Sequence, residues 1–121
     1  MAAFTTIDDP EAYFQCKIYT GNGSANHAQT LDGDTDMQPD LVWIKNRDAS
    51  DAHCVFDSVR GATKVIHPDT TAVETTDTDT LDSFTSDGFQ VDADEKVNTN
   101  AEKYVAWCWK ESATAGFDIL I

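Results

Sequence analysis

The stretch Tyr104-Val-Ala-Trp-Cys-Trp-Lys110 constrains the fold more than any other, because it is strongly apolar and rich in aromatic residues. Read with the two-residue period of a strand, Val105, Trp107 and Trp109 point to one side. The opposite side carries Tyr104, Ala106 and Cys108. Since both sides are apolar, the stretch predicts a central strand that is buried on both faces. A helix is the competing interpretation, but aromatic and β-branched residues favour the strand.

Short apolar runs separated by turn residues recur along the rest of the chain. Phe14, Cys16 and Ile18 alternate with more polar residues in the pattern of a half-buried strand. Residues 41–45 and 53–57 are two apolar runs joined by a polar turn, which indicates a hairpin. No long amphipathic helical pattern occurs. The chain therefore predicts an all-β fold, an antiparallel β-sandwich of jelly-roll type in a single domain.

The predicted domain spans residues 1–112, and residues 113–121 are interpreted as a linker followed by a terminal strand. The large aromatic side chains of the predicted strands are expected to fill the core between the sheets. These core residues are Trp43, Phe56, Phe89, Tyr104, Trp107 and Trp109. An exposed tryptophan would instead offer a flat surface on which a sugar ring could stack.

The cysteines Cys16, Cys54 and Cys108 lie far apart, each inside an apolar run and without a C-x-x-C pair. Free cysteine in such a setting behaves as a small hydrophobic residue, so all three are expected to be buried thiols. A disulfide between one pair of them is the alternative that the sequence leaves open.

The charge balance is strongly acidic, with 22 Asp and Glu against 8 Lys and Arg and a formal net charge of −14. Nucleic acids and anionic membranes are poor partners for such a chain, because both bind basic surfaces. Residues 1–6 show no signal-peptide pattern, and no apolar run approaches the ~20 residues of a membrane span. We therefore expect synthesis in a cytoplasm and no membrane insertion.

Asp32, Asp34 and Asp36 form the clearest metal-binding hypothesis, because alternating carboxylates on an extended loop suit a hard cation such as calcium. The loop is not an EF-hand, since Met37 and Trp43 stand where that motif needs Gly and Glu. The alternative is an acidic turn that is simply solvated.

No catalytic constellation is visible in the sequence. The histidines His27, His53 and His67 are scattered, and none lies in a nucleophile-elbow pattern. His53 and Cys54 are neighbours, but adjacent strand residues point to opposite faces and make a poor base–nucleophile pair. A Ser-His-Asp or Cys-His site assembled in space stays open as an alternative. The sequence nevertheless favours a protein without enzymatic activity.

Several segments together resemble a domain of tailed-bacteriophage structural proteins, many of them from marine samples. The most specific blocks are Pro39-Asp-Leu-Val-Trp-Ile-Lys-Asn-Arg47 and Tyr104-Val-Ala-Trp107. Supporting blocks follow in the same order as in that domain: Tyr19-Thr-Gly-Asn-Gly-Ser24, Phe56-Asp-Ser-Val-Arg-Gly-Ala-Thr63, Asp87-Gly-Phe89 and Val97-Asn-Thr-Asn100. The resemblance implies a concanavalin-like or SPRY-like β-sandwich located on the virion, in a tail, a fibre or the capsid surface.

The resemblance also implies partners. Repeated viral parts suggest a homo-oligomer that contacts other virion proteins, and a lectin-like fold suggests a host-surface glycan, bound with or without calcium, as the alternative partner. Domains of this kind often continue after a Gly-Phe-Asp-Ile segment into a second related unit. Residues 116–119 match that segment, so the terminal residues Phe117, Ile119 and Ile121 are expected to begin such a unit or to contact a neighbouring subunit.

Overall fold

The structure, a computed structural model, describes residues 6–120. Within this range the chain starts with a 3₁₀ turn at Pro10–Ala12 and continues through short strands and one helical turn. The strands are β1 (Phe14–Thr20), β2 (His27–Thr30), β3 (Leu41–Asn46), β4 (Cys54–Asp57), β5 (Lys64–Val65), β6 (Thr75–Thr76), β7 (Leu81–Thr85), β8 (Gly88–Val91) and β9 (Lys103–Trp109), and the helix is α1 (Glu95–Asn98). No helix in the described range is long and apolar enough to cross a membrane.

Two antiparallel sheets form the body of the fold. The larger sheet has the strand order β1-β9-β3-β4, and the smaller sheet has the order β2-β8-β7. Strands β5 and β6 form a separate two-stranded ladder, which an isolated bridge between Ile66 and Val55 connects to β4. The predicted antiparallel β-sandwich is confirmed. The aromatic stretch is strand β9, which lies between β1 and β3 in the middle of the larger sheet.

The hydrogen-bond register of the larger sheet decides which side chains share a face. Across its middle, Cys16 of β1 lies opposite Trp107 of β9, and Trp107 lies opposite Trp43 of β3. Tyr19 lies opposite Tyr104 in a row that points the other way. Because alternate residues project to opposite faces, the tryptophans and the two tyrosines are on different sides of the sheet.

The core lies between the two sheets, on the tyrosine side. Tyr19 stacks on Tyr104 with ring centroids 5.2 Å apart and meets Phe89 of the smaller sheet edge-on at 6.0 Å. The fully buried apolar side chains come from both sheets and from α1. They include Val42, Ile44, Cys54, Phe56, Leu81, Phe89, Val91, Val97, Tyr104, Ala106 and Cys108.

The three tryptophans lie outside this core. Trp43, Trp107 and Trp109 project from the other side of the larger sheet and are half-buried, so the prediction that they fill the core is wrong. In a two-layer sandwich each strand presents one face to the partner sheet. For β9 that face carries Tyr104, Ala106 and Cys108, and the predicted burial of both faces does not occur.

Strand β1 shows the same inversion. Phe14 and Ile18 are 40% and 59% exposed, whereas Gln15 and Tyr19 point inward and are buried. The strand exists where the alternation predicted it, but its more apolar side faces outward. The reason is the shared register with β9, which places Phe14 opposite Trp109 on the outer side.

Two buried asparagines fasten loops to the core. Asn98 donates from Nδ2 to Asn22 Oδ1 and to the Ser24 carbonyl, at 3.0 and 2.8 Å, and its Oδ1 accepts the Asn22 N–H at 2.9 Å. Asn46, at the end of β3, donates to a carboxylate oxygen of Glu102 at 2.6 Å. Because buried amides need every partner, these side chains fix the loops that approach them.

Candidate functional site

The outer side of the larger sheet is the most unusual surface of the molecule. Its side chains form cross-strand rows: Phe14, Trp109 and Leu41 in one row, Cys16, Trp107, Trp43 and Val55 in the next, and Ile18 and Val105 in a third. We call these nine residues the outer aromatic face. Asp57 of β4 lies opposite Leu41 at the edge of the first row, where it is 5% exposed and paired with Arg60. The nine residues themselves are uncharged, although the whole chain has a net charge of −14. An apolar surface of this extent on a charged protein is typical of a contact or ligand site.

The centre of the outer aromatic face is an open groove of about 290 Å³ lined by Trp43, Trp107, Trp109 and His53. Trp43 and Trp107 meet edge to face, with ring centroids 6.1 Å apart and an interplanar angle of 79°. The indole Nε1–H of Trp43 donates to His53 Nδ1 at 3.0 Å. His53 therefore accepts at Nδ1, which in the neutral ring places the proton on Nε2.

One end of the outer aromatic face is partly covered by the C-terminal segment. Phe117 stacks on Trp109 with centroids 6.3 Å apart and an angle of 23°, and Phe14 packs against the same indole at 5.1 Å. The segment returns because Ser112 and Phe117 form an isolated antiparallel bridge, with Gly116 at a φ of 75° in the turn between them. Positive φ is readily adopted by glycine.

The predicted terminal strand is therefore reduced to one bridging residue. Residues 118–120 have no regular structure, and the Ile119 N–H donates to Glu111 Oε2 at 2.8 Å. Of the three expected contact residues, Phe117 and Ile119 are half-buried against their own chain. The third, Ile121, lies outside the described residues.

The structure does not gather Asp32, Asp34 and Asp36 into a metal site. Nowhere in residues 6–120 do three acidic, histidine or cysteine side chains converge as a metal ion would require. Asp32 instead pairs with Lys17 at 2.8 Å. The three carboxylates of this turn therefore do not form a three-ligand group in the described part of the chain, and calcium binding there stays a prediction.

A side chain that the sequence did not single out shapes that acidic turn. Gln15 is 7% exposed and donates from Nε2 to the carbonyls of Glu11 and Thr35, both at 2.9 Å. Its Oε1 accepts the Gly33 N–H at 2.9 Å. The buried amide of Gln15 thus ties the turn to β1, and the Asp34 N–H adds a bond to Glu11 Oε2 at 2.7 Å.

The cysteines are free thiols in two environments. Cys54 and Cys108 are buried, and burial raises the pKa of each from 9.0 to about 12. Cys16 is exposed on the outer aromatic face, which corrects the expectation that all three are buried. A thiolate is disfavoured at the two buried positions, because charge is costly to bury.

The thiol of Cys54 lies near His67 and does not pair with its sequence neighbour His53. Its Sγ is 3.8 Å from His67 Nδ1, and that same nitrogen lies 2.9 Å from the His53 carbonyl, to which it donates. A nitrogen that already donates to a carbonyl cannot take the thiol proton. With its pKa raised by burial, Cys54 also lacks the activation of a nucleophilic thiolate. The remaining histidine, His27, is held by Asn98 and Gln29.

The comparisons with known proteins match the chain over most of its length to one family. That family is described as a domain of unknown function (DUF7483), and the match covers residues 9–118. No curated protein and no solved structure shows significant similarity to the chain.

Proposed function

We propose that this chain, which belongs to the domain of unknown function family DUF7483, is a non-enzymatic structural protein of a bacteriophage virion. It acts through protein–protein contacts in a tail, a fibre or the capsid surface. The observation that carries the proposal is the outer aromatic face, in which Trp43, Trp107 and Trp109 stay half-exposed on one side of a sheet. Aromatic residues of this kind are enriched in the centres of protein interfaces.

The inner side of the larger sheet is already covered by the smaller sheet, so its outer side is free to take a third layer. Burying apolar surface contributes about 25 cal/mol per Å², and each indole offers a large area. A protein partner on this side would therefore stabilise an assembly without any change in the fold of the subunit.

Placement on a virion is supported by the sequence blocks that resemble phage structural proteins. Among them, Trp43 and Trp107 come from the two most specific blocks, and both project from the outer aromatic face. A contact role would give these two outward tryptophans a physical function that core packing does not supply.

Hydroxyl-radical footprinting tests the proposal. The purified phage particle whose genome encodes the chain is compared with the isolated chain, and oxidation of Trp43, Trp107 and Trp109 is read by mass spectrometry. We expect rapid oxidation in the isolated chain and at least several-fold protection in the particle. Tyr13, which is half-buried outside the outer aromatic face, serves as the internal reference. Absence of the chain from the particle, or equal oxidation in both samples, would overturn the proposal.

A glycan-binding module for host attachment is the second candidate, and the groove beside His53 is the observation that favours it. Indole faces accept the apolar faces of sugar rings, and the neutral His53 ring offers an Nε2–H donor at the rim. A glycan array with the wild-type chain and the Trp107→Ala variant separates the candidates. Saturable binding that the variant loses would favour this function, and a blank array would remove it.

A further inference from the structure

One end of the outer aromatic face carries an unusual pair of cations. Arg47 directly follows β3, and its N–H donates to the Lys103 carbonyl at 2.7 Å, so the two residues lie opposite each other across the ladder. Strand alternation places both side chains on the side of Trp107, two rows beyond it. Lys45, on the same side of β3, adds a third positive charge. Three of the eight Lys and Arg residues of the chain are thus gathered at this end.

These cations lack the partners that other cations of the chain possess. Lys17, Arg60, Lys96 and Lys110 each lie within 4.0 Å of a carboxylate, whereas in residues 6–120 neither Arg47 nor Lys103 does. The nearby Asp48 uses its carboxylate to accept the Lys103 backbone N–H at 2.8 Å. Like charges opposite each other across two strands are destabilising. In a chain with 22 acidic residues, this exposed pair is free to meet an anionic partner from outside.

The opposite end of the same face carries carboxylates. Asp118 is exposed next to Phe117, which stacks on Trp109, and Glu111 lies two residues beyond Trp109. Within the described residues neither carboxylate forms an ion pair. Both accept the Ile119 N–H, which holds them at this end. The outward side chains are therefore ordered, with Arg47 and Lys103 at one end, tryptophans in the centre and Glu111 and Asp118 at the other. Asp51 and Glu102 also lie at the cationic end but accept from the buried Asn46 amide, and Lys110 at the acidic end pairs with Asp40.

A surface with this order of charges is complementary to itself. A two-fold axis parallel to the face and perpendicular to β9 turns one copy over onto another with its strands reversed. The cationic end of each copy then lies over the acidic end of the other, and the tryptophans meet in the centre. Two sheets packed face to face are about 10 Å apart with their strands nearly aligned, which this arrangement satisfies.

We infer that the outer aromatic face binds a second copy of this chain in that antiparallel orientation, with Arg47 and Lys103 of each copy against Glu111 and Asp118 of the other. The inference rests on the proposed contact function and names the partner. Isologous two-fold contacts of this kind are the commonest in soluble oligomers. Since each copy has a net charge of −14, the paired ends offset the repulsion between two acidic chains.

The size of the surface indicates a modest affinity. From strand spacing and rise, the flat part of the face covers about 300–400 Å², and the charged ends and Phe117 add to it. A standard stable interface buries about 800 Å² per partner. The dimer should therefore form only at high protein concentration. A particle that holds many copies together would provide such a concentration locally.

Charge reversal with complementation tests this inference. One variant carries Arg47→Glu and Lys103→Glu, and the other carries Glu111→Lys and Asp118→Lys. Sedimentation velocity is run on each full-length variant, on the wild type and on the equimolar mixture, at about 5 to 500 µM protein in order to cover weak interfaces. We expect each variant alone to associate at least tenfold more weakly than the wild type, and the mixture to regain most of the wild-type association.

The control variant has the same change of charge as the variant with Glu111→Lys and Asp118→Lys, but its substitutions lie outside the outer aromatic face. Asp79→Lys with Glu95→Lys alters two exposed carboxylates outside the outer aromatic face and should dimerise at least as well as the wild type. If a reversed variant proves unfolded by circular dichroism, Lys103→Gln and Asp118→Asn replace it and should weaken association in the same direction.

Three results would overturn the inference. A wild type that stays monomeric over the whole concentration range would exclude the second copy as the partner. Charge-reversed variants that dimerise like the wild type would exclude the charged ends. Variants that stay monomeric even when mixed would exclude the antiparallel orientation. None of these results decides the proposed function, because protection of the tryptophans in the particle can come from a different virion protein.

Discussion

Cys16 and Cys108 lie on adjacent strands, yet their thiols are in opposite environments. Cys108 and Cys54 are buried with pKa values raised to about 12, and Cys16 is exposed. Iodoacetamide reacts with accessible thiolates, so at about pH 8 the native protein should take up a single label rapidly. Mass spectrometry should place the label on Cys16, and Cys16→Ser should abolish the rapid phase. Equal labelling of a second cysteine in the native protein would contradict the placement of the strand faces.

Because Cys54 and Cys108 are buried, we also expect the protein to lose stability at alkaline pH. In the unfolded chain they ionise near pH 9, whereas in the folded chain they keep their protons to about pH 12. Between these values the unfolded state binds fewer protons, so the free energy of unfolding falls as the pH rises. The expected loss is on the order of 1–2 kcal/mol per thiol by about pH 10.5.

Urea unfolding measured at intervals from neutral pH to about pH 11 checks this dependence. The Cys54→Ala, Cys108→Ala double variant should lose less stability over the alkaline interval, even if it is less stable at neutral pH. Burial also raises the pKa of Tyr19 well above 10.0, so part of the alkaline loss should persist in the variant. Identical slopes for the two proteins would show that the thiols are not responsible.

Among the polar residues, Asn98 is the one whose substitution we expect to lower the free energy of unfolding most. Its amide group satisfies the Asn22 N–H and the Ser24 carbonyl, and it is 0% exposed. Asn98→Ala removes these hydrogen bonds and the buried amide that makes them, which should cost about 1–3 kcal/mol in the free energy of unfolding. Asn100→Ala, at an exposed position of the same loop, is the matched control and should cost less than about 0.5 kcal/mol. Similar losses for both variants would argue against the network.

At the scale of the elements, alternation in the sequence was enough to find the strands but not to orient them. The hairpin of β3 and β4 and the central position of β9 follow from apolar runs and the turns between them. The facing of β1 and β9 does not, because both sides of β9 are apolar and the more apolar side of β1 is the one that faces outward. Which side meets the smaller sheet depends on the paired register of four strands, and a single strand carries no information about that register.

The acidic turn shows a second limit. The carboxylates of Asp32, Asp34 and Asp36 predict a metal site, whereas a residue that fastens the turn is Gln15, a neutral side chain in β1. No local pattern identifies such a residue. Its role depends on β1 passing close to the turn, which is a property of the fold.

The C-terminal segment supplies a prediction at this scale. No side chain of residues 113–120 belongs to the hydrophobic core, although Phe117 covers Trp109. Deleting residues 113–121 should therefore leave the thermal midpoint nearly unchanged but weaken self-association, because it removes Phe117 and Asp118 from the outer aromatic face. Light scattering at high protein concentration measures the oligomer, with the Leu120→Ser variant as a control for loss of an exposed apolar residue. An unchanged oligomer size would speak against a contact role for this segment.

At the scale of the whole molecule, the fold separates two tasks. The tyrosine side of the larger sheet packs against the smaller sheet and makes the domain stable, while the tryptophan side is left free. The proposed contact function rests on this free side. The sequence predicts the β-sandwich, whereas the composition of its outer side depends on how the strands are oriented.

Acrylamide quenching of tryptophan fluorescence across a dilution series tests the central claim most directly. The three tryptophans all lie on the outer aromatic face, so the emission reports on that surface alone. We expect strong quenching in dilute solution and progressively weaker quenching as copies associate and cover the indoles. Weak quenching at every dilution would mean that the tryptophans are core residues, and the outer aromatic face would then not exist.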